Sequence, residues 1–260
     1  MILLAVIRLG NPAFMVLLTI LTFLGAREIY HMALASGHHP LPAPGTVIAV
    51  LFIILPYFMP RYSVSLMIYL TAAALVIPLV WLIILRSQHK NIRGNWLWTI
   101  IPVFYLGWTL QHYVKLIDFP HGKEWVLIAM LPTFACDTIA YFIGKKWGKH
   151  KLAPTISPNK TWEGAGSGFG AALGTTILFT FIFRKYVSAF SLSYPHAVLL
   201  GCLTGVYAQL GDLLGSRMKR ITGVKDSGSI LPGHGGIIDR IGSLIFPGLI
   251  IYYYVSCFVH

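Results

Sequence analysis

The side chains able to do chemistry crowd into the second half of the chain. Only eight acidic residues occur among 260, and six of them follow residue 120: Glu124, Asp137, Glu163, Asp212, Asp226 and Asp239. A carboxylate in or beside hydrocarbon is costly, so one that is kept there usually coordinates, pairs or catalyses. The densest polar stretch, 215–242 with its lead-in, reads Gln209-Leu210-Gly211-Asp212, then Ser216-Arg217-Met218-Lys219-Arg220, then Lys225-Asp226-Ser227-Gly228, then Leu231-Pro232-Gly233-His234-Gly235-Gly236-Ile237-Ile238-Asp239-Arg240. Carboxylates alternating with cations are what a metal–triphosphate site needs. The oxygens of Asp212 and Asp239 suit Mg²⁺, which takes one or two protein carboxylates and completes its shell with phosphate oxygens and water. Lys219, Lys225, Arg220 and Arg240 neutralise phosphate charge, the arginines by bidentate hydrogen bonds. Gly235 and Gly236 offer bare backbone to a phosphate, and Ser216, Asp226 and His234 add polar groups that position it. The plainer reading of the same stretch is a solvated basic loop at a membrane surface.

A second polar stretch, 144–168, carries Lys145, Lys146, Lys149, Lys151 and Lys160, followed by Thr161, Trp162 and Glu163. The first four lysines read as an anchor to anionic lipid. Lys160 is placed to reach a substrate phosphate, and Glu163 to hold a cation or a lysine. Asp137, inside an apolar segment, joins the candidate substrate-binding residues. Gly166, Gly170 and Gly174 repeat every four residues, which puts them on one helix face and predicts close helix packing there.

These residues need a frame, and composition says which kind. The chain is 56% hydrophobic and only 11% charged, with a mean hydropathy of +0.72. A soluble domain carries roughly 25% charged residues, so the bilayer is the expected solvent and the expected fold is an all-α polytopic membrane protein. Eight apolar segments stand out, at 12–33, 46–59, 64–85, 96–114, 125–143, 169–183, 196–214 and 243–259, giving about eight transmembrane helices. The second is short for a span and is flanked by Pro56 and Pro60. The formal net charge of +12 sits in loops between segments, which argues against nucleic acid and for lipid headgroups and phosphorylated substrates. Thirteen of the twenty Lys and Arg fall in 86–95, 144–168 and 215–242. The bias of basic residues toward the untranslocated side therefore puts both polar stretches in the cytoplasm. Cys136, Cys202 and Cys257 lie in apolar segments and form neither a disulfide framework nor a zinc pattern. The chain divides into 1–124, apolar and without dense chemistry, and 125–260, which carries the polar loops.

Ser216-x-Met218-Lys219-Arg220-x4-Lys225-Asp226-x-Gly228-x2-Leu231-Pro232-x-His234-Gly235-Gly236-Ile237-x-Asp239-Arg240-Ile241 resembles the signature of the phosphatidate cytidylyltransferase (CDP-diacylglycerol synthase) family. It matches at every defined position but the last. Asp137-Thr138-x-Ala140-Tyr141-Phe142-x-Gly144 and Ser157-Pro158-Asn159-Lys160-Thr161-Trp162-Glu163-Gly164 resemble the companion blocks of that family. The resemblance covers roughly 130–246. It implies transfer of a cytidylyl group from CTP to phosphatidate in phospholipid biosynthesis, with Mg²⁺ as cofactor, at the inner membrane of a bacterium. It leaves room for a second metal ion, a monovalent cation and a homodimer. Two positions depart from the pattern: Gly242 stands where the signature ends in Asp, and Gly215 where an acid commonly precedes Ser216. Those departures keep two alternatives in view, a related lipid nucleotidyl- or phosphotransferase with another acceptor, and a catalytically weakened homologue.

Overall fold

A computed structural model of the chain describes residues 10–59, 63–84, 91–228 and 235–259. His234, with Leu231, Pro232 and Gly233, lies outside the described residues, as do Arg8, Arg61, Arg86 and Lys90 of the charge count.

The described chain is helical apart from one small hairpin. Its elements are α1 (Asn11–Ala35), α2 (Pro42–Phe58), α3 (Ser63–Ile84), α4 (Ile92–Pro102), a π-helical turn (Val103–Trp108), α5 (Thr109–Leu116), α6 (Gly122–Trp147), strands β1 (Lys151–Ala153) and β2 (Ser157–Thr161), α7 (Trp162–Tyr186), α8 (Tyr194–Ile221), α9 (Ile238–Ile241), a 3₁₀ turn (Gly242–Leu244) and α10 (Ile245–Phe258). Among the described residues six helices are long and apolar enough to cross a bilayer: Asn11–Ala35, Ser65–Ile84, Gly122–Trp147, Trp162–Tyr186, Tyr194–Ile221 and Ile238–Phe258. α2 is shorter, at 17 residues, and the helix over 92–116 is interrupted at its π turn. That turn follows Pro102, whose ring clashes with the preceding carbonyl and whose missing N–H breaks the regular ladder.

By backbone packing the described residues form two compact units, one from Met1–Lys115 with Lys219–Asp239, the other from Leu116–Met218 with Arg240–His260. In the first unit Phe14, Ile29, Tyr30, Phe52, Ile53, Leu106 and Tyr113 are buried. Tyr30 donates its hydroxyl to the Thr99 carbonyl at 2.9 Å, which satisfies a polar group that burial would otherwise penalise. Gly107 lets the π turn press on the backbone of α2, where a methyl on Gly107 would stand 2.6 Å from the Ala49 carbonyl oxygen.

The second unit is built round the pair α6–α7. A methyl on Gly168 would stand 2.8 Å from the Cys136 carbonyl oxygen and 2.9 Å from the Ala140 methyl, and one on Gly164 would stand 2.7 Å from the Ala140 carbonyl oxygen. Gly201 and Gly205 of α8 fit the Leu173 and Phe169 backbones of α7 in the same way. Hydrocarbon gives helices no hydrophobic drive to associate, so such close approach supplies the dispersion contact instead. The contact face differs from the one predicted. Nothing among the described residues lies within 4 Å of where a methyl on Gly166, Gly170 or Gly174 would go. Gly164 and Gly168 are also four apart, but offset by two residues, and two residues turn an α-helix by about 200°, to its other side.

α8 runs through Ile221, so Ser216, Lys219 and Arg220 stand on a helix rather than in the loop expected over 215–242. No breaker occurs until Gly223. There a Schellman stop forms: Gly223, at φ 75°, donates to the Arg220 carbonyl at 3.1 Å and Val224 to the Lys219 carbonyl at 2.9 Å.

Because Gly168 is packed and Gly170 is not, Gly168→Ala should lower stability by about 1–3 kcal/mol through overpacking. Gly170→Ala should be neutral or stabilising, by up to ~1 kcal/mol from helix propensity. Thermal unfolding of the two variants in the same detergent checks the contrast.

Candidate functional site

The second unit gathers Lys160, Asp212 and Asp137. Lys160 is the penultimate residue of β2, and the hairpin aims it back toward the helices: Lys151 pairs with Thr161 and Ala153 with Ser157. Thr161 then caps α7, its hydroxyl accepting from the Gly164 N–H at 3.1 Å. From there Lys160 Nζ reaches Asp212 Oδ2 at 2.6 Å, with the two side chains 25% and 38% exposed. Asp137 on α6 accepts from the Ser243 hydroxyl at 2.7 Å and lies within electrostatic reach of both Lys160 and Asp212. Gly211, the neighbour of Asp212, is pressed against the Gly242 carbonyl. The position that departs from the family signature therefore sits beside the Asp212 turn of α8, and the hydroxyl of the next residue serves Asp137. Gln209, one turn before, donates to the Ala165 and Gly205 carbonyls at 3.0 Å each and so ties α8 to α7.

Glu163 has a different partner from the cation or lysine expected. His150 Nδ1 lies 2.7 Å from its Oε1, and the His150 N–H lies 3.2 Å from each of its oxygens. The carboxylate closes the hairpin onto the start of α7.

The first unit gathers Lys219, Asp239, Gly235 and Gly236. Lys219 forms a salt bridge to Asp239 Oδ1, with the side chains 14% and 16% exposed. The other oxygen, Oδ2, accepts the Gly236 N–H at 3.0 Å and the Ser227 N–H at 3.1 Å. The Ser227 hydroxyl lies 3.2 Å from the same oxygen. Gly235 turns the chain at φ 80°, and a methyl there would stand 3.0 Å from Asp239 Oδ2, so both conformation and space require glycine. The bare face of Gly236, expected to admit a phosphate, is instead filled from within the unit. A methyl on it would collide with the Ser227 hydroxyl and stand 2.5 Å from Glu28 Oε2.

Lys225, Asp226, Arg220 and Arg240 are exposed and Ser216 is half-buried; Arg220 also donates to the Val224 carbonyl at 3.3 Å. The residue missed altogether is Glu28 on α1. It is 3% exposed and accepts from the Ile237 N–H at 2.8 Å, the Ile238 N–H at 3.0 Å and the Ser227 hydroxyl at 2.7 Å. The signal was present, since Glu28 is one of only two acids before residue 120 and lies within an apolar segment.

Each of the two candidate metal-binding aspartates thus carries a lysine. A carboxylate offers hard oxygen donors of the kind Mg²⁺ takes. The Lys160–Asp212 pair, 25% and 38% exposed, is the more open of the two, and Lys219–Asp239, at 14% and 16%, is the more enclosed. The fold and these groups define a polytopic helical membrane protein that carries two carboxylate–lysine pairs. The chain belongs to the cytidylyltransferase family, whose sequence model it matches over residues 1–258. It is similar to the phosphatidate cytidylyltransferase of Staphylococcus haemolyticus, 30% identical over 95% of this chain and 91% of that protein. It is 32% identical to phosphatidate cytidylyltransferase 4, chloroplastic, of Arabidopsis thaliana, over 96% of this chain and 69% of that protein. The match to the phosphatidate cytidylyltransferase of Bacillus subtilis is 36% identical over 61% of this chain and spans 57% of that protein's length.

The Thr161 cap is what holds Lys160 at the helix start. Thr161→Val keeps the shape and deletes the acceptor, and should cost about 1 kcal/mol, whereas Thr161→Ser should cost less. Thermal unfolding of both variants reads the difference.

Proposed function

We propose that Asp212 and Asp239 are the magnesium-binding carboxylates of a cytidylyl transfer from CTP to phosphatidate. The observation that carries this reading is the pairing of each aspartate with its own lysine, Lys160 and Lys219, with Lys160, Lys219 and Asp239 inside blocks that resemble the family's. In the reaction an oxygen of the phosphatidate phosphate forms a bond to the α-phosphorus of CTP. The bond from that phosphorus to the bridging oxygen breaks, and pyrophosphate leaves with the electron pair as CDP-diacylglycerol forms.

Both reactants are anions, so the barrier is largely electrostatic. Bound Mg²⁺ supplies charge neutralisation at the triphosphate. Asp212 and Asp239 would each offer a carboxylate to such a cation, which prefers one or two protein carboxylates with phosphate oxygens and water. Lys160 and Lys219, each beside one of these aspartates, would bind phosphate oxygens when a cation is held by the carboxylates. Lys225, Arg220 and Arg240, all exposed, take further phosphate charge, with Ser216, Asp226 and His234 as positioning groups. Asp137, held by Ser243, and Glu163, which secures the hairpin, keep Lys160 in place. The lipid arrives within the bilayer and CTP from the cytoplasm, which fits the excess of Lys and Arg in 144–168 and 215–242. The membrane is the inner membrane of a bacterium.

Purified protein in detergent with CTP, Mg²⁺ and phosphatidate should release pyrophosphate, and chelation should stop it. Asp239→Asn and Asp212→Asn should each lower turnover by about 10²-fold or more, the scale seen when one preorganised electrostatic group is lost, with thermal unfolding showing folded protein. Full activity in either variant overturns its metal assignment. Turnover with another lipid acceptor in place of phosphatidate would redirect the substrate reading to that lipid.

A further inference from the structure

We infer that Glu28, on the first helix and remote in sequence from every motif, is a positioning residue for the reaction, acting through Ser227 on Asp239; the inference rests on the proposed role of Asp239.

Burying a carboxylate costs several kcal/mol unless polar groups replace its water. Among the described residues Glu28 recovers that cost from three donors of the signature segment, which lie on both sides of 229–234. Ser227 precedes that stretch and donates its hydroxyl to Oε2 at 2.7 Å. Ile237 and Ile238 follow it and donate their peptide N–H groups to Oε1 and Oε2 at 2.8 and 3.0 Å. The wrap is tight on both sides. Methyls on Gly228 and Gly236 would stand 2.8 and 2.5 Å from the Glu28 oxygens, so a side chain at either place would push the carboxylate from its donors. One side chain from α1 therefore holds residues on both sides of 229–234.

The link to chemistry is Ser227. Its hydroxyl lies 2.7 Å from Glu28 Oε2 and 3.2 Å from Asp239 Oδ2, and its N–H donates to Asp239 Oδ2 at 3.1 Å. The hydroxyl has one proton, and the shorter distance gives it to Glu28. Glu28 thus orients Ser227, whose N–H, with that of Gly236, fixes Oδ2 and leaves Oδ1 as the oxygen that faces Lys219 and is available to a cation. A group that orients a ligating carboxylate commonly contributes 10–100-fold in metal affinity or activity when removed. A glutamine at 28 has a single accepting oxygen and cannot serve donors at both.

The test measures pyrophosphate release by wild type, Glu28→Gln, Ser227→Ala and Asp239→Asn in detergent, as a function of Mg²⁺ and of phosphatidate. Glu28→Gln and Ser227→Ala should each lower kcat by about 10–100-fold and raise the Mg²⁺ concentration for half-maximal rate by at least threefold. The KM for phosphatidate should stay within twofold. A helix-packing role for Glu28 predicts loss of folded protein without a change in the Mg²⁺ response of what remains. Ser227→Ala is small enough to fold and reports the same link if Glu28→Gln does not. Wild-type Mg²⁺ response in Ser227→Ala, or in folded Glu28→Gln, while Asp239→Asn is inactive, overturns the inference. Full activity in Asp239→Asn instead sinks the functional reading on which it stands.

Discussion

The cost of a charge beside hydrocarbon governs this chain. A protein that is 56% hydrophobic with eight acids keeps each buried carboxylate only by supplying donors at fixed positions, and those donors organise the local structure. Asp239 draws Lys219, Ser227 and Gly236 round itself. Glu28 draws Ser227, Ile237 and Ile238. Asp212 takes Lys160, and Asp137 takes Ser243. The shape of the polar segments follows from these demands more than from any intrinsic preference of the loops. A side chain at Gly228 or Gly236 would displace the Glu28 carboxylate, and Gly235 is held at φ 80°, which favours glycine.

Helix contacts obey the complementary rule. With no hydrophobic gain available between helices in lipid, backbones approach where side chains vanish, at Gly164 and Gly168 on α7 and Gly201 and Gly205 on α8. That close contact holds the hairpin over 151–161 between the end of α6 and the start of α7, where Gly148 and Gly144 both lie against Thr161. The chain runs from small residues to packed helices, to a capped helix start, to a lysine held 2.6 Å from an aspartate.

Much of this was legible in the sequence, and the gaps have physical causes. Apolar blocks of span length announced the membrane helices, because hydropathy over about 20 residues is a strong signal. Their ends were less legible. Ser216, Lys219 and Arg220 read as loop because they are polar, yet polar residues continue a helix readily until a breaker such as Gly223 stops it. The glycine face was misread since periodicity shows that residues share a side, not which side meets a neighbour. Gly166, Gly170 and Gly174 form the longer repeat but not the contact. Glu28 escaped because it stands alone, 199 residues from the nearest of its partners in sequence, and no local motif surrounds it. The rule that isolated acids in apolar segments are retained for a reason applied to Asp137 and Asp212, and applied equally to Glu28.

The two departures from the family pattern bear on the same charge balance. With Gly215 and Gly242 in place of acids, the remaining aspartates on α8 and α9 each have one lysine, and each pair is close to neutral by itself. A neutral pair neither attracts nor repels a polyanion at long range, so steering toward triphosphate falls to the exposed cations Lys225, Arg220 and Arg240. An additional carboxylate at 242 would stand beside the Asp212 turn, where Gly242 already meets Gly211, and would add unpaired negative charge there. On the proposed magnesium role its absence would lower the affinity for a divalent cation and would also remove repulsion of incoming phosphates. Orientation of the surviving carboxylates would then count for more, and at Asp239 the groups that set it are Ser227 and, behind it, Glu28.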